Sequence, residues 1–175
     1  MRKIFIILLC FTLLSGMQPD TVNPETANAK IKTVYMYNFT KYIDWPDNYK
    51  TGNFTIAVLG SNQYILSELN NMAEKKKAGN QSFEIKSVSS IDGASKYHML
   101  FVSPEYQSSL NEIVAKLKGK STLIITEKPR MTKQGSAINF VVQSSKQKFE
   151  LSKSNAEKYN LKISSSLVQL AIVVE

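Results

Sequence analysis

The stretch YHMLFVS, residues 97–103, carries apolar side chains on both of its alternating faces. A strand with one wet face alternates apolar with polar residues, whereas one covered by helices on both sides reads as a near-continuous apolar run. The segment therefore predicts a central strand, which needs a strand on each side and a helical layer above and below. Pro104 follows where a proline can open a helix, and Leu110, Ile113, Val114 and Leu117 recur at helical spacing as far as Gly119. The same order of strand then helix precedes it. NFTIAVLG (53–60) alternates Phe54, Ile56 and Val58 with smaller residues and ends on a glycine suited to a turn. Asn62 is placed to cap a helix whose apolar stripe is Ile65, Leu66, Leu69 and Met72. SFEIKSV (82–88) alternates as a further strand, and residues 91–95 read as a short turn or helical piece.

Toward the C-terminus, STLII (121–125) reads as a short buried strand. After a loop over 127–135, SAINFVVQ (136–143) and KQKFELS (146–152) are spaced as a hairpin. Ser154, with Glu157 three residues on, has the form of a capping box for a short helix ending near Asn160. The final apolar stretch, 167–174, suits a buried helix or, from its valines, a strand; the low β character of SLVQLA at its start favours the helix. Toward the N-terminus, KIKTVYMYNFTKYI (30–43) sets Ile31, Val34, Tyr35, Asn38 and Tyr42 on one helical stripe. That helix stops before Pro46, because the residue preceding a proline resists the α region. Strands alternating with helices and closed by a hairpin predict an α/β fold: a single-domain sandwich with a central mixed β-sheet flanked by helices on both faces.

Residues 1–29 have a different character. Met-Arg-Lys precedes an apolar run over 4–14, the length of a signal-peptide core and well short of the roughly 20 residues a membrane span needs. Cleavage is expected between Ser15 and Ala29: the triplet Ala27-Asn28-Ala29 is one choice and Ser15-Gly16 the competing one. Cys10 follows Leu8-Leu9 inside the apolar run, which argues against lipidation. Removing the leader takes away the only cysteine and leaves 30–175 as one domain with no thiol, disulfide or thiolate metal site. The formal net charge is +8, from 22 Lys+Arg against 14 Asp+Glu. Export, and a single arginine (Arg130) beyond the leader, argue against nucleic acid. A lysine-coated surface instead keeps the chain solvated and draws acidic partner surfaces.

No catalytic group assembles from spacing. The single histidine, His98, sits inside the central strand and reads as a structural polar group; one His without Cys cannot build a standard zinc site. Gly60 stands alone after its strand, so neither the phosphate cradle nor the dinucleotide fingerprint is present. Asp44, Glu68, Asp92, Glu105, Glu112, Glu127 and Glu150 show no spacing that holds two carboxylates across a substrate. The reading is of a non-enzymatic protein with no catalytic residue, no metal and no cofactor.

Several segments, in order, resemble the YfiR-like family of exported bacterial regulators: YNFTKYI (37–43) with Trp45-Pro46, FTIAVLG (54–60), HMLFVS (98–103), Gly135 with Ile138-Asn139-Phe140, Phe149-Glu150, and LKISSSLVQLA (161–171). The resemblance implies an α/β sandwich in the periplasm that acts by binding. It implies a repressor that holds the periplasmic sensor domain of an inner-membrane diguanylate cyclase inactive, lowering cyclic di-GMP and restraining biofilm formation. Relatives found beside sensor kinases imply an alternative, a periplasmic small-ligand binding protein feeding a sensor histidine kinase, with its pocket between the Trp45 region and the Asn139-Phe140 strand. The best-known members carry disulfides; residues 30–175 have no cysteine, so redox control is not expected. A homodimer is compatible with either reading.

The aromatic segment YNFTKYIDWP (37–46) carries the candidate site. Tyr37, Phe39 and Tyr42 can seat the first helix on the sheet, and Trp45, with Tyr42 or Phe39, is the candidate exposed anchor for a partner. The partner- or ligand-binding set is Tyr37, Phe39, Lys41, Tyr42, Trp45, Pro46, Asn139 and Phe140, with Asn38, His98 and Glu150 as structural polar residues. Asn38, an amide on an apolar stripe, needs partners and is expected to tie the helix end to a backbone group or to Glu150.

Overall fold

The computed structural model describes residues 23–175; the apolar run with Cys10, and Ser15-Gly16, lie outside the described residues. In chain order the elements are α1 (Pro24–Tyr42), β1 (Ile43–Asp44), β2 (Phe54–Leu59), α2 (Gln63–Ala73), β3 (Lys77–Ala78), β4 (Gln81–Val88), β5 (Met99–Val102) and α3 (Leu110–Lys116). There follow β6 (Leu123–Thr126), β7 (Ile138–Gln143), β8 (Lys146–Ser152), α4 (Lys153–Lys158), β9 (Lys162–Ile163), α5 (Ser165–Leu170) and β10 (Ile172–Val174). Single 3-10 turns form at Asp47–Tyr49, Pro104–Ser109 and Met131–Gln134.

Eight strands make one mixed sheet in the order β10-β8-β7-β6-β5-β2-β4-β3, and β1 pairs with β9 as a small separate ribbon. β4, β2, β5, β6 and β7 run parallel; β8 returns antiparallel beside β7 and β10 lies parallel to β8. The chain winds in both directions from the β2–β5 pair, through α2 to β4 and through α3 to β6. Right-handed crossovers in opposite directions place α2 and α3 on opposite faces, so both faces of the central strands are covered. β2, β5 and β6 are accordingly buried along their whole lengths.

Two of the helix starts with a polar cap behave as their sequences require. Asn62 Oδ1 accepts from Ile65 N at 3.0 Å and opens α2, which buries Ile65 and Leu69. Ser164 Oγ accepts from Leu167 N at 3.3 Å and opens α5. At α4, however, the cap is Ser152, whose Oγ accepts from Asn155 N at 3.3 Å. The expected Ser154–Glu157 box does not form, because β8 runs to Ser152 and the helix begins on the next residue.

Two further expectations are corrected. α1 starts at Pro24, six residues before the expected Lys30, after Asn23 whose side chain accepts from Glu25 N. Its core stripe is Ala29, Thr33, Met36 and Phe39, while Ile31 and Val34 are 44% and 54% exposed. Both stripes have helical spacing; the choice falls to Phe39, whose ring meets Phe149 at 5.1 Å and Phe140 at 6.3 Å between centroids. The final apolar stretch is not one helix: α5 ends at Leu170, and Ile172, Val173 and Val174 pair with Glu150, Leu151 and Ser152 of β8. The β-branched run takes the free edge of β8, where its residues fit a pleated surface.

The β7–β8 hairpin turns through Ser144 and Ser145 at φ +51 and +58, a two-residue loop with both central residues left-handed. L-residues other than Asn and Gly are strained there by about 1–2 kcal/mol each. Replacing Ser144-Ser145 by Asn-Gly should raise stability by roughly 1 kcal/mol, read as a higher urea midpoint; a lowered midpoint would contradict the turn geometry.

Candidate functional site

At the start of the central strands the polypeptide builds an aromatic cluster around one imidazole. The ring of His98 stacks on Phe54 at 4.2 Å between centroids and meets Tyr49 edge-on at 5.2 Å; Trp45 in turn meets Phe54 edge-on at 5.0 Å. His98 Nδ1 accepts from the Thr55 N–H at 3.0 Å, so Nε2 carries the proton and donates to the Tyr49 carbonyl at 2.6 Å. Trp45 Nε1 donates to the His98 carbonyl at 3.2 Å, and the Tyr49 hydroxyl accepts from Ser121 N at 3.1 Å. Trp45 is 5% exposed and Phe39 fully buried, which corrects the expectation that they stand out as anchors: the indole N–H has an internal acceptor, and the phenyl ring is a keystone under β7 and β8.

The rest of the aromatic segment is shared between core and surface. Tyr37 is half-buried against Phe83, with the Lys41 ammonium 4.4 Å from its ring centroid. Tyr42 is half-buried, and its carbonyl accepts from Ser164 N at 2.9 Å. Asn38 Oδ1 accepts from Lys41 Nζ at 3.3 Å, so the expected tie to a backbone group or to Glu150 is not made. Glu150 instead accepts from Asn139 Nδ2 at 2.9 Å, while Asn139 Oδ1 accepts from Thr126 Oγ1 at 2.8 Å. That polar row, buried at Thr126 and Asn139 and half-buried at Glu150, crosses β6, β7 and β8 on the face away from Phe140.

Three of the candidate binding residues, Trp45, Pro46 and Phe140, border depressions, and these are two separate ones. Trp45 and Pro46 border one of about 310 Å³ with Asp44, Lys50 and Lys162. Phe140 and Glu150 border one of about 460 Å³ with Lys32, Glu127, Arg130 and Gln147. Among the described residues, Trp45 and Phe140 thus border different depressions and not the single pocket expected between the Trp45 region and the Asn139-Phe140 strand. The second depression opens where β6 ends at Thr126, opposite Asn139, while β7 continues beside β8 to Gln143. Lys32 and Glu127 form an ion pair in it. Among the described residues no three of His, Cys, Asp or Glu come together as metal ligands, and no helix is long and apolar enough to cross a membrane.

Sequence reasoning missed the exposed apolar residues Leu170 (64%) and Val173 (49%), because both of its readings of the terminal stretch, the favoured helix and the strand, bury it. The break after Leu170 into Ala-Ile-Val-Val was the available signal.

Fold and surface together define a doubly wound, single-domain α/β protein whose features are cavities and apolar edges. A family model described as YfiR/HmsC-like matches residues 29–172, and the chain belongs to that family, whose members are periplasmic regulators of cyclic di-GMP signalling rather than enzymes. None of the curated proteins matches the chain. Among solved structures, a conserved domain protein from Vibrio cholerae O1 biovar El Tor superposes with a TM-score of 0.57 at 8% identity, over 84% of this chain and 60% of that one. The likeness is one of fold, and the chain spans less than two thirds of that neighbour.

Burial holds the His98 imidazole neutral, lowering its pKa from the ordinary value; the Tyr49 carbonyl opposes the shift and Lys96 adds to it. An unfolded histidine protonates near pH 6.5. Stability from this group is therefore complete above about pH 6.5 and falls as the pH drops toward the lower folded pKa, since there only the unfolded chain takes the proton. The urea midpoint should decline as the pH falls below about 6.5, and His98→Gln, though less stable at neutral pH, should lose that slope. A flat wild-type profile would contradict the buried neutral ring.

Proposed function

We propose that the protein is an exported, non-enzymatic signalling regulator that binds the periplasmic sensor domain of an inner-membrane protein, a diguanylate cyclase, and holds it inactive. Cyclic di-GMP and biofilm formation fall as a result. The observation that carries this reading, beside family membership, is where the exposed apolar side chains lie. Leu170 just before β10 and Val173 within it lie at one edge of the sheet, Ile31 and Val34 form a ridge on α1, which touches α5, and Val142 stands apart near the tip of the β7–β8 hairpin. By its pairing with Leu151, Val173 shares the sheet face that α1 covers. An open edge strand is a template for pairing with another chain, and an exposed apolar rim beside it suits a protein partner. Binding one conformation of the sensor more tightly withholds the other, and about 3 kcal/mol of differential affinity shifts that equilibrium over a hundredfold. The alternative reading, a small-ligand binder serving a sensor kinase, is supported by the 460 Å³ depression beside Arg130 and Glu150.

Crosslinking the tagged chain in its native envelope should capture an inner-membrane protein with a cyclase output. Leu170→Asp combined with Val173→Lys should cut that capture at least tenfold, about 1.4 kcal/mol, without lowering the thermal midpoint. Undiminished capture by this variant would place the partner elsewhere. The leader is proposed to be cleaved near Ser15-Gly16, because α1 already starts at Pro24 and buries Ala29. The intact mass of the exported chain should fit cleavage there; a mass beginning at Lys30 would refute it.

A further inference from the structure

Against the sheet face opposite α1, α3, the turn Met131–Gln134 and α4 border a half-open cavity of about 560 Å³. Lys118, Lys133 and Lys158 line it and no carboxylate does. None of the three forms an ion pair among the described residues. Lysines near helix C-termini are ordinary, since they complement the helix dipole. That accounts for each one singly and not for three ammonium-bearing chains from separate elements bordering one concavity.

The cavity is also organised from behind. Asn155, 5% exposed, donates through Nδ2 to the Thr132 carbonyl at 2.7 Å and the Ser136 carbonyl at 2.9 Å. Both amide hydrogens are thereby used inward, which fixes the orientation of the carboxamide. Its Oδ1 accepts from Lys158 Nζ at 3.2 Å and holds that ammonium at the cavity wall. Gly135, at φ +111, lets the turn approach α3 so closely that a Cβ there would lie 2.9 Å from Val114 Cγ2. Val114, Ala115 and Tyr159 supply an apolar flank. The Tyr159 hydroxyl donates to the Gly135 carbonyl at 2.7 Å.

We propose that this cavity binds a small polyanion, a soluble molecule with two or more phosphate or carboxylate groups on a compact ring or short apolar body. The volume is that of small-ligand sites, roughly 300–1,000 Å³. A concave site on one sheet face suits a molecule that enters it better than a flat anionic surface. This site is independent of the apolar edge assigned to partner docking.

The test titrates the purified exported chain calorimetrically with inorganic pyrophosphate, citrate and vesicles of phosphatidylglycerol with phosphatidylcholine, at low and at high salt. Pyrophosphate or citrate should bind one to one and weaken with salt, as ion pairs screened by counterions do. Lys118→Gln with Lys158→Gln should weaken that binding at least tenfold at an unchanged thermal midpoint. The charge-matched control, Lys75→Gln with Lys77→Gln on the far side of the sheet, should change it less than twofold. Equal weakening by both pairs would overturn the site, because the attraction would then belong to the overall charge of +8. Absence of one-to-one binding, or binding to the vesicles alone, would overturn it as well.

Discussion

Four separate segments are held together by the hydrogen bonds of one residue. His98 uses its backbone N–H on the Thr55 carbonyl and its carbonyl on Leu123 N and Trp45 Nε1; its ring adds the Thr55 N–H and the Tyr49 carbonyl. β2, β5, β6 and the segment between β1 and β2 thus meet on a single side chain and its peptide groups. Such a network is stable in a dry interior only if every donor and acceptor is matched, and here the matching fixes the tautomer. A charged ring would bring a second N–H against the Thr55 N–H. The parallel strands on either side take their register from this point.

The parts of the fold that were legible in the sequence are those decided locally. YHMLFVS announces its two-sided burial because no polar residue breaks it from Met99 to Val102. Asn62 announces α2 because its side chain needs only the backbone three residues on. The parts that were illegible are decided by pairing. Ile31-Val34-Tyr35 and Thr33-Met36-Phe39 are both acceptable stripes, and only the rings of Phe140 and Phe149 choose between them. Ile172–Val174 is a strand because β8 offers an edge, a fact absent from those three residues. Trp45 showed the same limit: an indole reads as a surface anchor until its acceptor, the carbonyl of His98, is known. Of the candidate site, Asn139 and Glu150 were found by resemblance, but their hydrogen bond to each other and the one from Thr126 to Asn139 follow only from strand order.

The surface separates by chemistry in the same way as the sheet separates by face. Exposed aliphatic side chains lie on α1, at the β10 edge and, at Val142, near the end of β7, whereas Lys118, Lys133 and Lys158 border a cavity against the opposite face. Two recognitions of different kind can therefore act on one small domain without competing for the same atoms. The helices α2 and α3 owe their opposite placement to the handedness of chain crossovers, so the topology itself keeps the two surfaces apart.

The seating of α1 carries a consequence for how the chain is made. Tyr35 donates to the carbonyl of Gln147, 112 residues further along the chain, and Phe39 rests on rings from β7 and β8. The first helix to emerge is consequently among the last to find its place, with the loop-closure entropy of nearly the whole domain still to be met. Until the hairpin is synthesised and delivered, Met36 and Phe39 have no sheet to cover them. A chain passed unfolded across a membrane would meet this delay as an interval of exposed apolar surface, in which a holding chaperone has more to offer than any later stabilisation of the native state.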